Sequence, residues 1–153
     1  MAVLEIRKAG DKILKEPAAP VAKLDKRIRR LLDDMAQTMY DADGVGLAAP
    51  QVGVSSRIVV IDVGDGLIEL INPVITETKG CMIGQEGCLS VPGVMGEVER
   101  YAEVAVEALD RYGKKIKVVG AEMLARALQH EIDHLEGILF IERANTISTQ
   151  VQR

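Results

Sequence analysis

Along residues 24–41 the apolar positions Leu24, Ile28, Leu31, Leu32, Met35 and Met39 recur in steps of mostly three and four. That spacing lays one apolar stripe along a helix, so the segment is predicted to be amphipathic and helical. Residues 1–23 have no such period and are punctuated by Pro17 and Pro20, which predicts irregular backbone. The helix runs out at Asp43-Gly44-Val45-Gly46, which reads as a loop. Shorter β-like runs follow at Arg57–Asp62, Leu67–Ile75 and Val98–Leu109. In the last of these, Val104, Val106 and Ala108 alternate with Ala105, Glu107 and Leu109, as in a half-buried strand. Asp110-Arg111-Tyr112-Gly113-Lys114 reads as a hairpin turn into Ile116–Val119. Residues 121–136 return to a helical period, closed by Gly137 but opened without a Ser, Thr or Asp cap. A helix, several strands and a second helix predict an α+β fold, with antiparallel β-sheets packed around a central helix and an N-terminal helix at the side.

The 153 residues suit one domain, with boundaries 1–153. A domain of this size folds without a structural metal or disulfides, so a bound metal would serve chemistry. The chain has no Trp and one Phe, so it lacks the aromatic platform used to stack single-stranded bases. A net charge of −4 offers no general attraction to DNA or anionic membranes. Charges at Glu5, Arg7, Lys8, Asp11 and Lys12 interrupt the N-terminal segment, which does not read as a signal peptide, and no apolar run approaches a membrane span. A reducing, cytoplasmic setting is therefore expected, with Cys81 and Cys88 as free thiols or metal ligands. Lys23, Lys26, Arg27, Arg29 and Arg30 crowd the start of the first helix. They read as a solvated face; the sharper alternative is a docking patch for a negatively charged partner.

The two histidines of the chain stand four apart in His130-Glu131-Ile132-Asp133-His134. At about 100° per residue, His134 is rotated only about 40° from His130, so both rings can reach one ion. On the helical wheel Met123 and Ala127 fall beside the pair, and Leu124, Leu128, Ile132 and Leu135 continue the apolar arc. Glu122, Arg126, Gln129, Asp133 and Glu136 form a separate polar stripe. Glu131, beside the histidines, can lie near a metal-bound water without ligating the ion. Two satisfied core histidines are the bland alternative, weakened by Glu131 directly after the first. A hydrolytic metal site needs a third ligand and an open position, and with no further histidine that ligand is Asp, Glu or Cys. Cys88, in Gln85-Glu86-Gly87-Cys88-Leu89-Ser90, is the evident donor. A nucleophilic Cys/His pair is the rival, but it leaves the second histidine and Glu131 without a role. Gly44-Val45-Gly46-Leu47-Ala48-Ala49-Pro50-Gln51 lacks the ending of a phosphate loop and by composition is a tight turn.

Together, Gly44–Gln51, Glu86–Ser90 and Gln129–His134 resemble the three signature motifs of peptide deformylase, in the family's order. The resemblance extends over nearly the whole chain. It implies removal of the formyl group from formyl-methionine at the start of a nascent peptide, with release of formate. It assigns Cys88, His130 and His134 as ligands of one divalent ion, Fe²⁺ first, with Zn²⁺, Ni²⁺ or Co²⁺ as substitutes. It assigns Glu131 as general acid/base, activating the water that attacks the formyl carbon. It adds Gln51 and the Leu89 backbone N–H as oxyanion donors, and Gly46 backbone as a pairing partner for substrate. The methionine pocket it implies includes Val45, Met123, Ala127 and His130. Asp133 is expected to pair with Arg100, holding the metal helix against the sheet.

The resemblance also implies transient contact with the ribosome. Two departures stand out: Met95 occupies a position where many members carry a substrate-contacting arginine, and the chain stops soon after Ile141, which implies that the long C-terminal helix of some members is missing or short. A metal-binding protein without catalysis and a metalloprotease are the alternatives; Glu131 and Gln51 speak against the first, since binding alone needs neither.

Overall fold

The computed structural model describes residues 2–149, so the ends of the 1–153 span expected as one domain lie outside the described residues. Helix α1 spans Lys26–Asp41 and is capped by Asp25, whose carboxylate accepts from the Ile28 N–H. Among the described residues eight strands follow the expected antiparallel pattern: β1 (Gly46–Ala48), β2 (Ile58–Ile61), β3 (Ile68–Lys79), β4 (Met82–Cys88), β5 (Val91–Arg100), β6 (Glu103–Leu109), β7 (Lys115–Ala121) and β8 (Ala144–Thr149). Helix α2, Glu122–Leu135, lies between β7 and β8 in sequence. One sheet has the order β1-β2-β3-β6-β7 and the other β4-β5-β8. Among the described residues no helix is long and apolar enough to cross a membrane.

The larger sheet is covered on both faces. Leu47, Ile58, Val60 and Ile71 pack with Ile28, Leu32, Met35 and Met39 of α1. Ala48, Val59, Ile61 and Leu70 pack with Leu128, Ile132 and Leu135 of α2. All four residues of β2 are buried, so its pattern is a continuous apolar run rather than an alternation. A third cluster of buried residues, Val91, Val98 and Phe140, lies under the smaller sheet.

The sequence and the structure differ at four places. The run read as one strand over Val98–Leu109 is two, broken at Tyr101 and Ala102. Segment 44–51, read as a loop, contains the short strand β1 and a 3-10 turn over Ala49–Val52. Residues 82–97 carry a hairpin that no alternation announced, because glycines replace apolar side chains there. After Ile141 the chain continues as β8, paired to β5. Gly137 ends α2 as expected: its φ is +77°, and a Cβ there would lie 2.6 Å from the Lys15 carbonyl oxygen.

Candidate active site

Three segments distant in sequence meet beside α2. That helix brings His130, Glu131 and His134 inward, all of them buried. Cys88 ends β4, and its sulfur lies 3.3 Å from His134 Nε2. One donor atom each from Cys88, His130 and His134 can be chosen so that all lie within 4.8 Å of one another, the one such Cys/His/Asp/Glu group among the described residues. The imidazole rings meet edge to face at 5.0 Å, and the outer side of His130 stacks on Phe140.

Gln51, in the turn after β1, is 1% exposed. Its Oε1 accepts from the Ala48 N–H at 2.9 Å, which turns the amide nitrogen toward Ser90 Oγ at 3.1 Å and Cys88 Sγ at 3.6 Å. The group facing the thiol is thus a donor. The Ser90 N–H also donates to Cys88 Sγ at 3.4 Å. Leu89 turns the chain between β4 and β5, and its side chain lies against Gly44. Gln51, Cys88, Leu89, His130 and Glu131 line a cavity of about 680 Å³ that also includes Val45, Gly46, Met123, Ala127 and Met95.

The stripe of α2 drawn as polar on the wheel is largely internal. Arg126 and Gln129 are buried, with only Glu122 and Glu136 exposed. For Arg126 the reason is Glu86. Its carboxylate accepts from Arg100 Nε and Nη2, at 2.8 and 2.9 Å, from Arg126 Nη1 at 2.5 Å and from His130 Nδ1 at 2.9 Å. Arg100 reaches on to Asp133 at 2.6 Å, and Arg143 joins the same carboxylate. Gln129 binds the backbone N–H and carbonyl of Tyr101 where the two strands part. The resemblance implies the Asp133–Arg100 pair, which is present, and leaves Glu86 without a role. The available signal was position: Glu86 stands two residues before Cys88 in a segment that had to reach the histidines.

Burial alone would raise the Glu86 carboxyl, but hydrogen bonds from Arg100 and His130 outweigh it and hold the group at about 2. Burial would depress His130, yet its hydrogen bonds to Cys88 and Glu86 win and raise it to about 10. Burial depresses His134, with the positive neighbours His130 and Arg100 adding to the effect. Burial raises Glu131 to about 7, a value suited to both accepting and returning a proton near neutrality.

The residues fit a bound cation. His134 Nδ1 and Glu131 Oε1 are buried with no hydrogen-bond partner in the protein, an arrangement natural proteins rarely tolerate without an ion or water. One thiol and two imidazoles suit Zn²⁺ or Fe²⁺, leaving a coordination position for chemistry. His130 commits Nδ1 to Glu86, which leaves Nε2 for the ion.

Residues 3–150 match the polypeptide deformylase family model. The chain is 57% identical to the peptide deformylase of Pelotomaculum thermopropionicum over 153 residues, covering 100% of this chain and 99% of that one. It is 64% identical over 143 residues to that of Acetivibrio thermocellus, covering 94% of this chain and 84% of the relative. Among solved structures, the peptide deformylase of Thermotoga maritima superposes with a TM-score of 0.93 at 41% identity, over 95% of this chain and 100% of that one. The Synechococcus elongatus peptide deformylase in complex with actinonin superposes at 0.91 with 45% identity, over 94% and 79%.

Proposed function

Because this chain belongs to the peptide deformylase family of enzymes, we propose that it hydrolyses the N-formyl group of formyl-methionine at the start of newly made polypeptides, releasing formate and a free amine. One observation supports the residue-level reading: Cys88, His130, Glu131 and Gln51 line one cavity from three separate segments, with His134 grouped behind them against Cys88. Residues 1–153 act as one catalytic domain. Its setting is the cytoplasm, where it meets nascent chains in transient contact with the ribosome.

Cys88, His130 and His134 hold one divalent ion. Fe²⁺ is the most active occupant, with Zn²⁺, Ni²⁺ or Co²⁺ as substitutes. When bound, the ion acidifies water and acts as a Lewis acid toward a carbonyl. Glu131 takes a proton from the attacking water at its unpartnered Oε1 and passes it to the leaving amine. Gln51 Nε2 and the Leu89 N–H donate to the oxyanion of the tetrahedral intermediate; the hold of the Ala48 N–H on Gln51 Oε1 means no reorientation is needed at that moment. Val45, Met123 and Ala127 receive the unbranched methionine side chain, and Gly46 pairs with the substrate backbone as an added strand. The Arg100–Asp133 bridge keeps α2 against β5 while the chemistry proceeds.

The test compares formyl-Met-Ala, acetyl-Met-Ala and a peptide cleavable only at an internal bond, each with metal-loaded protein. Formate release from the first alone is expected. Cleavage of the internal bond would replace the deformylase reading by a metalloprotease, and binding without turnover would leave a metal-binding protein.

A further inference from the structure

Arg126 has no part in the chemistry proposed above, yet it is buried, charged and set one helical turn before His130. A buried arginine is costly unless every contact it makes compensates its lost hydration. Its Nη1 donates to Glu86 Oε2 at 2.5 Å and to the Val98 carbonyl at 3.1 Å. In β4–β5, Val98 is paired with Gly84, and a Cβ at Gly84 would lie 3.0 Å from Arg126 Nη2. The absent side chain is what lets the guanidinium lie across the hairpin. From one position on α2, Arg126 therefore engages both strands of that hairpin, one of which ends at Cys88.

The Glu86 carboxylate receives four hydrogen bonds, two at each oxygen. This fills its acceptor directions. Arg100 grips it as a two-toothed fork from β5, and that same guanidinium is drawn at its far end by Asp133. Arg126 closes the remaining side at Oε2, while His130 takes the remaining side of Oε1. Arg126 and His130 are four residues apart on one helix and share this one carboxylate, so Glu86 fastens two successive turns of α2 to β4. His130 can offer Nε2 outward only while its Nδ1–H is held by Glu86 in that orientation.

We propose that Arg126 is a positioning residue of the metal centre, acting through Glu86 to fix the ring orientation of His130 relative to Cys88. This rests on the reading of Cys88, His130 and His134 as the ligand set. Removing Arg126 opens one acceptor direction of Glu86 and frees the hairpin from the helix at Val98, so the three donors lose their common geometry before the fold is lost.

The experiment measures Zn²⁺ affinity by chelator competition, and the visible spectrum of Co²⁺-loaded protein, for wild type, Arg126→Met, Glu86→Gln and the double variant. Circular dichroism and thermal melting verify that each is folded. Arg126→Met is expected to weaken Zn²⁺ binding by about 10–100-fold, the range typical for groups that orient a ligand, and to shift the Co²⁺ bands. Arg126→Lys, with a cation but no planar fork, should fall between it and wild type. If Arg126 acts through Glu86, the double variant should be no weaker than the weaker single variant. Wild-type affinity and spectrum in a folded Arg126→Met, or additive losses in the double variant, would overturn the inference. Should Arg126→Met not fold, Arg126→Gln replaces it in the same cycle, with the same two outcomes decisive. Failure of wild type to bind Zn²⁺ at all would bring down the ligand assignment itself, a result distinct from tight binding by every variant.

Discussion

The substitution Gly46→Ala adds one methyl group and tests where the Glu131 carboxylate stands. Gly46 lies in β1 with ordinary strand backbone, so alanine meets no conformational obstacle. A Cβ built there would lie 2.6 Å from Glu131 Oε2, 2.9 Å from its Cγ and 3.0 Å from its Cδ. Carbon atoms in contact prefer separations of about 3.5–4.0 Å, so the carboxylate must retreat by about 0.5 Å or more. Glu131 is 4% exposed, and its retreat is confined by packed neighbours. Overpacking of this kind costs about 1–3 kcal/mol of stability, which a domain of this size survives. Displacement of a proton-transfer group by close to 1 Å can cost about 10² in rate. Gly46→Ala should therefore melt a few degrees lower, retain its metal, and release formate from formyl-Met-Ala about 10²-fold more slowly. Formate is followed by a coupled dehydrogenase assay, metal by elemental analysis and stability by thermal melting, all on one preparation. Unchanged turnover in a folded, metal-loaded variant would refute the assignment of Glu131 to the reaction. Loss of metal would refute the separation of Glu131 from the ligand set.

Three further outcomes are expected. Glu131→Ala should keep its metal and lower turnover by about 10²–10⁴, as for a general base; metal loss would make Glu131 a ligand. Gln51→Leu removes the donor facing Cys88 and should slow the reaction by about 10²–10³ with little change in substrate affinity, measured as separate kcat and KM values. Protein stripped of metal and reloaded anaerobically should be most active with Fe²⁺ but lose activity in peroxide, with added oxygen located on Cys88 rather than Cys81 by mass spectrometry. Equal activity and equal resistance of the iron and zinc forms would count against that last expectation.

Both helices were legible because their apolar stripes pack against a sheet, and packing of that kind imposes a period on sequence. The histidine pair was legible for a related reason: ligation by one helix demands a fixed spacing. The β4–β5 hairpin was not legible. Gly84, Gly87, Gly93 and Gly96 stand in it where alternation would need side chains; Gly84, Gly87 and Gly96 admit Arg126, Met95 and Phe140 closely, and Gly93 has a φ of +76°. The two sides of Tyr101 merged into one apparent strand because apolar and charged residues run on through the turn. The wheel set Arg126 and Gln129 on a polar stripe without deciding whether Arg126 rims the pocket or faces solvent; both are buried, and Arg126 lines the cavity. A wheel separates polar from apolar positions, but it cannot distinguish water from a buried carboxylate as the polar partner. Glu86 is that partner for Arg126 and the Tyr101 backbone is the partner for Gln129; the one signal for Glu86 is its place two residues before Cys88.

The two sides of the candidate metal centre rest on different foundations. His130 and His134 share α2 with Leu128, Ile132 and Leu135, members of the cluster that closes the larger sheet. Cys88 hangs from a hairpin whose own cluster has three buried residues, Val91, Val98 and Phe140. Partial opening follows such differences in local support. The histidine side is held by apolar packing across the larger sheet, whereas the cysteine side has a small apolar cluster and depends on the hydrogen bonds of Glu86 and Arg126 for its hold on α2. Polar contacts thus carry on the cysteine side the support that apolar packing gives on the histidine side. In hydrogen exchange, the amides of β4 and β5 should give way before those of α2.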